Sequence, residues 1–265
     1  MSRRGKAALK ALLLLAAAYG LLAYVVLPLA WEHYEHQPGL AGRPMVTRTA
    51  DGIPGDPLNV GLVGSEAEIV GAMHAAGWYP ADPVTLRSSV EIVGSVLLDR
   101  PFVHAPVSPL FVEGRSQDLA FEKPAGESAD RRHHVRLWKV LESGEEGRPV
   151  WLGAVTFDRG VGLSHDTGQV THHIAPDIDA ERALLIGDLA AAGRLTAIYQ
   201  VTGIGPTLYG RNGGGDPYYT DGELAVGRLV AAGKPDVATP QRLPAPAVIE
   251  LKNTLWPLIA DALAG

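Results

Sequence analysis

The chain has 265 residues, 46% hydrophobic and 20% charged, which fits one globular domain with attachments. It contains no cysteine, so disulfides, thiol nucleophiles and thiolate metal sites are excluded. The net charge is −6, and taking the four cations Arg3, Arg4, Lys6 and Lys10 from the 23 leaves 19 against 29 acids, about −10 for the remainder, a poor match for nucleic acid or anionic lipid headgroups.

Residues 11–30 carry no charged side chain and include Leu12 to Leu15 and Tyr24 to Leu27. Twenty residues at about 1.5 Å each span about 30 Å, the hydrocarbon thickness of a bilayer. The spacing predicts a transmembrane helix over 11–30 behind a basic, cytoplasmic segment 1–10. The positive-inside bias then sends the rest of the chain out of the cytoplasm, as a single-pass protein of the cytoplasmic (inner) membrane. Trp31 and Tyr34 occupy interfacial positions. A cleaved signal peptide is the competing reading; cleavage after Ala30 would put Pro28 at the minus-three position, a poor fit.

Residues 31–55, rich in Pro and Gly, read as an extended tether. The domain, 56–232, opens on a buried strand at 58–63. A capping box follows, Ser65 to Glu68, at the head of a helix stopped by Gly77. Leu86, Val90, Val93 and Leu97 predict a second helix after Pro83. Strands are expected near 109–122, 132–142 and 149–158, then a tight hairpin over 161–174 turning at Asp166 to Gln169. Asp177 to Ala192 reads as an amphipathic helix ended by Gly193. Strands near 195–203 and 222–231 flank a glycine-rich loop, Pro206 to Gly222. Residues 233–265 form a linker and an amphipathic helix on Val248, Leu251, Leu255, Ile259 and Leu263, with a bend at Pro257. The fold class is α+β: a largely antiparallel sheet with helices packed on one face, after one transmembrane helix.

Several strings carry a family resemblance: DPLNVGLVGS (56–65), AAGWYPADPVTLRSS (75–89), APVSPLFVEGRSQDLAFEKP (105–124), RRHHVRLW (131–138) and WLGAVTFDRGVGLSHDTGQVTHHIAPDIDAER (151–182). Over roughly residues 50–230 the chain resembles the LssY C-terminal domain family. The resemblance implies a membrane context, beside segments like phosphatidic acid phosphatase or DedA, and a link to a type I secretion locus. It implies no defined reaction. With one helix before its domain, the chain departs from the larger relatives and is expected to lack their phosphatase segment.

The densest polar cluster falls in the expected hairpin: Asp158, Arg159, His165, Asp166, His172 and His173. With the turn at Thr167 and Gly168, His165 pairs with Val170 and shares a face with His172, while His173 points the other way. His165, His172 and Asp158 are therefore the candidate catalytic groups, as general acid and base or as ligands of a divalent metal. The alternative is a pair of half-exposed histidines bonded to backbone, and no cofactor is required. His133 and His134 also alternate across a strand. Arg115 and Asp118 either pair with each other or line a polar pocket. Arg87 suits either an anion or a structural ion pair, and Arg211 and Tyr218 sit in a loop of binding-loop composition or plain mobile loop. No Gly-x-Ser-x-Gly and no His-Glu-x-x-His is present. Two functions remain open. One is an accessory or interaction module of the cell envelope, partnered by the bilayer through residues 11–30 and by envelope or secretion-related membrane proteins. The other is a hydrolase or transferase for a phosphorylated or lipid-linked envelope substrate.

Overall fold

The computed structural model describes residues 3–34, 36–40, 42–81, 87, 109–126, 131–168, 170–202 and 205–264. Helix α1 (Arg3–Leu21) continues through a π-turn (Leu22–Val26) into α2 (Leu27–Tyr34). Arg3–Ala30 is long and apolar enough to cross a membrane, and none of it is buried. Three residues after Tyr34, the chain is already held by the domain. Buried Gln37 donates from Nε2 to the Tyr199 hydroxyl at 3.0 Å and accepts from the Glu145 N–H at 3.3 Å.

The remaining elements are β1 (Val46–Arg48), β2 (Pro54–Pro57), β3 (Val60–Val63), α3 (Glu66–Ala75), β4 (Tyr79–Pro80), β5 (Phe111–Val112), β6 (Arg115–Ser116), β7 (Leu119–Pro124), β8 (Arg132–Leu141), β9 (Val150–Leu163) and β10 (Val170–Ile174). They continue with α4 (Ile178–Ala191), β11 (Leu195–Val201), β12 (Tyr209–Arg211), β13 (Pro217–Tyr219), β14 (Leu224–Leu229), β15 (Gln241–Arg242) and α5 (Ala247–Ala264). The helix expected after Pro83 lies outside the described residues.

The main sheet runs β15-β11-β14-β3-β9-β8-β7-β4, with β10 added to the far end of β9. Most pairs are antiparallel; β3–β14 and β11–β15 are parallel. The long, alternating strands β8 and β9 pair from Arg132↔Asp158 to Leu141↔Val150 and form the spine.

Because side chains alternate along a strand, the sheet has two interiors. Val60, Leu62, Val135, Leu137, Trp151 and Val155 face α3 and α4, which contribute Ile69, Val70, Met73, Leu185 and Leu189. The predicted capping box is formed: Ser65 Oγ accepts from the Glu68 N–H, and the Glu68 carboxylate accepts from the Ser65 N–H. Asp177 caps α4, and Gly193, at φ +72°, stops it in the left-handed region. The opposite face carries Val63, Trp138, Val140, Leu152, Tyr199 and Val226, and is covered by Leu40, Leu110 and Val112. The cover includes a second, four-stranded sheet of order β2-β1-β5-β6. The segment expected to be an extended tether, 31–55, thus contributes β1 and the start of β2 to this cover. Leu40 and Thr47 are buried, and Arg48 pairs with Phe111 some sixty positions on. Its Pro and Gly content sets local backbone geometry, but a distant strand supplies the partner.

Asn59 ties the two faces together. Its amide donates to the Val155 and Ile178 carbonyls, each at 3.0 Å, and accepts from the Val155 N–H at 3.0 Å. Helix α5 runs through Pro257 as one helix. It is held by Lys252, which bonds the Asp221 carbonyl at 2.7 Å and pairs with Glu223, and by Asn253, which donates to Gln200 at 2.8 Å. Ile249 and Trp256 are buried, while Val248, Leu251, Leu255, Leu258 and Ile259 stay exposed.

Candidate functional site

The face covered by the small sheet changes character along β8. Trp138 and Val140 are apolar, but Arg136, His134 and Arg132, at the alternate positions towards the strand's start, are polar and buried. Buried cations are costly unless paired, and each guanidinium here has a carboxylate. Arg136 Nη1 donates to Asp56 Oδ2 at 3.0 Å. Arg132 Nη1 donates to Glu122 at 2.8 Å, its Nε to Asp158 Oδ2 at 3.2 Å, and its Nη2 lies 3.3 Å from His172 Nε2. Asp158 reaches Arg132 because the two are direct cross-strand partners on β8 and β9.

This polar end opens into a cleft of about 220 Å³. Asp51, Asp56, Arg136, Asp158, His172 and Asn212 supply its charged and amide groups, and Thr49, Ser164, Thr167 and Thr171 its hydroxyls. Burial raises the Asp158 carboxyl to about 6, against the opposing pull of Arg132 and Arg136. Burial also raises Glu122, with Arg132 opposing. His134 lies beneath; burial first, and then Arg136, Arg132 and His172, hold its imidazole well below the usual range.

The third wall is the glycine-rich segment, which is a pinned hairpin. Asn212 accepts from the Gly214 and Asp216 N–H groups through Oδ1 and donates to Asp56 Oδ1 at 3.2 Å. Arg211 Nη1 donates to the Gly215 carbonyl at 2.6 Å and so closes the same turn. Gly213 packs so closely that a Cβ would sit 2.7 Å from Thr49 Cγ2.

The candidate residues fall into separate groups. His172 and Asp158 meet at the cleft, bridged by Arg132. His165 does not join them as a strand residue. Strand β9 ends at Leu163, which pairs with Val170, so His165 lies in the turn and packs against His173, ring centroids 5.2 Å apart. The hairpin was expected to close two residues later; Ser164 closes it early by accepting the Asp166 and Thr167 N–H groups on its Oγ. Arg115 and Asp118 pair with each other at 3.1 Å beside Lys139. Seven residues of β8 separate that place from Arg132, about 23 Å at strand rise. Tyr218 is buried with Ile174 and Ile178, a core residue rather than an exposed aromatic platform. Arg87 is exposed, and its neighbours in sequence lie outside the described residues. His133 bonds Glu181 of α4 at 2.6 Å on the helical face, away from His134, as alternation requires.

Sequence reasoning missed Asp56, Arg132, Arg136, Asn212 and Asp216. One signal was available: Arg132, His134 and Arg136 at positions i, i+2 and i+4 put three basic groups on one strand face, which demands buried acids opposite. The acids themselves come from residues 56, 122 and 158, and of these Asp158 alone stands out in the sequence, in the polar string around the hairpin.

A family model described as the LssY C-terminus matches residues 36–224, a stretch that contains every cleft residue named above. No curated protein matches the chain. No solved structure matches it.

Proposed function

Since the chain belongs to the LssY C-terminus family and carries a membrane-length helix, we propose that it is a membrane-held accessory module of the cell envelope whose cleft binds a small, hydroxyl-rich, uncharged ligand such as a sugar unit. One observation carries this reading. Three carboxylates, Asp51, Asp56 and Asp158, line the cleft against one guanidinium, Arg136, among hydroxyls and the Asn212 amide. Carboxylates accept hydrogen bonds from hydroxyl donors, whereas a phosphate would meet net negative charge. The volume lies below the roughly 300 Å³ at the low end of drug-sized pockets and suits a single ring. Arg3, Arg4, Lys6 and Lys10 before the helix support a cytoplasmic N-terminus and an extracytoplasmic domain in the inner membrane. A C-terminal reporter active only after export tests the topology.

Calorimetric titration of the full chain in micelles tests the ligand class. Neutral saccharides are expected to bind, and Asn212→Ala to weaken them. Binding of phosphorylated sugars but not their neutral parents would overturn the reading. The second reading, a hydrolase or transferase for an envelope substrate, is favoured by a different observation. Asp158, raised to about 6, and His172 flank the same guanidinium and could exchange a proton with a bound substrate near neutral pH. Turnover of chromogenic glycosides or phosphoesters that Asp158→Asn abolishes would establish it.

A further inference from the structure

Beside the cleft stands a second cluster that takes no part in binding there. His165 lies in the turn after β9, His173 on β10, and Asp216 in the turn between β12 and β13. One ligand atom from each lies within 4.8 Å of the others. His173 Nδ1 is 2.9 Å from Asp216 Oδ1, and His165 Nε2 is 3.8 Å from that same oxygen. Around an ion with bonds of about 2.1 Å, tetrahedral ligand atoms stand about 3.4 Å apart, between the two observed distances.

Asp216 is buried and fixed on every side. Its other oxygen accepts the Ile174 N–H at 3.1 Å, and its own N–H donates to Asn212 Oδ1 at 2.9 Å. Such outer bonds orient a ligand before an ion arrives. Two glycines make room for the imidazoles. A Cβ on Gly162 would lie 2.5 Å from His173 Nε2, and one on Gly215, at φ +85°, 2.8 Å from His165 Cβ. The His165 side chain is 63% exposed, so the open side of the cluster faces solvent.

We propose that His165, His173 and Asp216 form a binding site for one divalent transition-metal ion of the zinc class. The two imidazoles and one carboxylate are its protein ligands, and the fourth position opens to water. The donor set is borderline in softness and three in number, the composition of zinc sites that keep an exchangeable position. The site goes beyond the saccharide-binding reading and does not depend on it.

The test uses the full chain in detergent micelles, purified without a polyhistidine tag and stripped by chelator. Calorimetry with Zn²⁺ is expected to show one saturable equivalent, and Co²⁺ to give visible d–d bands that Zn²⁺ displaces. His165→Ala, a change at an exposed side chain, is expected to weaken Zn²⁺ at least tenfold. His173→Ala should act likewise, and His74→Ala on α3 should have no effect. Absence of a saturable equivalent overturns the proposal, as does binding that His165→Ala leaves intact.

Discussion

Replacing Asp158 by Asn tests the electrostatics of the cleft directly. Burial raises this carboxyl from 3.8 to about 6, so the native protein holds a proton that the unfolded chain has already released. A rise of that size corresponds to about 3 kcal/mol. The sign follows from linkage. The native state binds more protons than the unfolded state between about pH 4 and 6, so this stabilisation is complete below the unfolded pKa and is lost as pH rises through the folded one. Asparagine cannot titrate. The unfolding free energy of the variant relative to the wild type should therefore rise with pH, by about 2 kcal/mol between pH 4.5 and 7.5. Urea unfolding of both proteins in micelles, followed through the fluorescence of buried Trp78, Trp138 and Trp151, measures it. A difference that stays flat or falls with pH would refute the idea that burial dominates over the two guanidiniums.

Arg136→Met leaves Asp56 without its cationic partner and Asp158 with one neighbour fewer, and should cost about 3–5 kcal/mol in the same assay. Adding Asp56→Asn should recover part of that loss, and a strictly additive double variant would show the pair to be uncoupled. Asn59→Ala strands the Val155 and Ile178 carbonyls and the Val155 N–H beneath α4, and should lower stability by at least about 2 kcal/mol. A loss under 0.5 kcal/mol, about the size of a surface change, would mean that these groups find other partners.

Features that depend on neighbours in sequence could be read from it. The Ser65 to Glu68 capping box, the stop at Gly193 and the alternation of β8 are written within a few residues of where they act. So is the hairpin, although Ser164 closes it two residues earlier than strand alternation alone predicts. The cleft was less legible because it depends on register. Asp56 faces Arg136 across 80 positions and Asn212 across 156. Arg115 and Asp118 interrupt an apolar run with charge, which fits either a mutual pair or a pocket wall, and the structure shows the pair. Their mutual bond at the far end of β8 satisfies the same chemistry without a ligand. Tyr218 looked exposed inside a glycine-rich string, yet those glycines let the turn fold tightly enough to bury it; a Cβ at Gly210 would lie 2.5 Å from its hydroxyl.

The Gln37 anchor has a mechanical consequence. Only three Cα–Cα steps, at most about 11 Å of backbone, separate the end of α2 from a side chain locked into the sheet. A leash that short leaves the domain little room to swing once the helix is seated in lipid. On the proposed reading, a ligand of the cleft would then be met close to the bilayer surface.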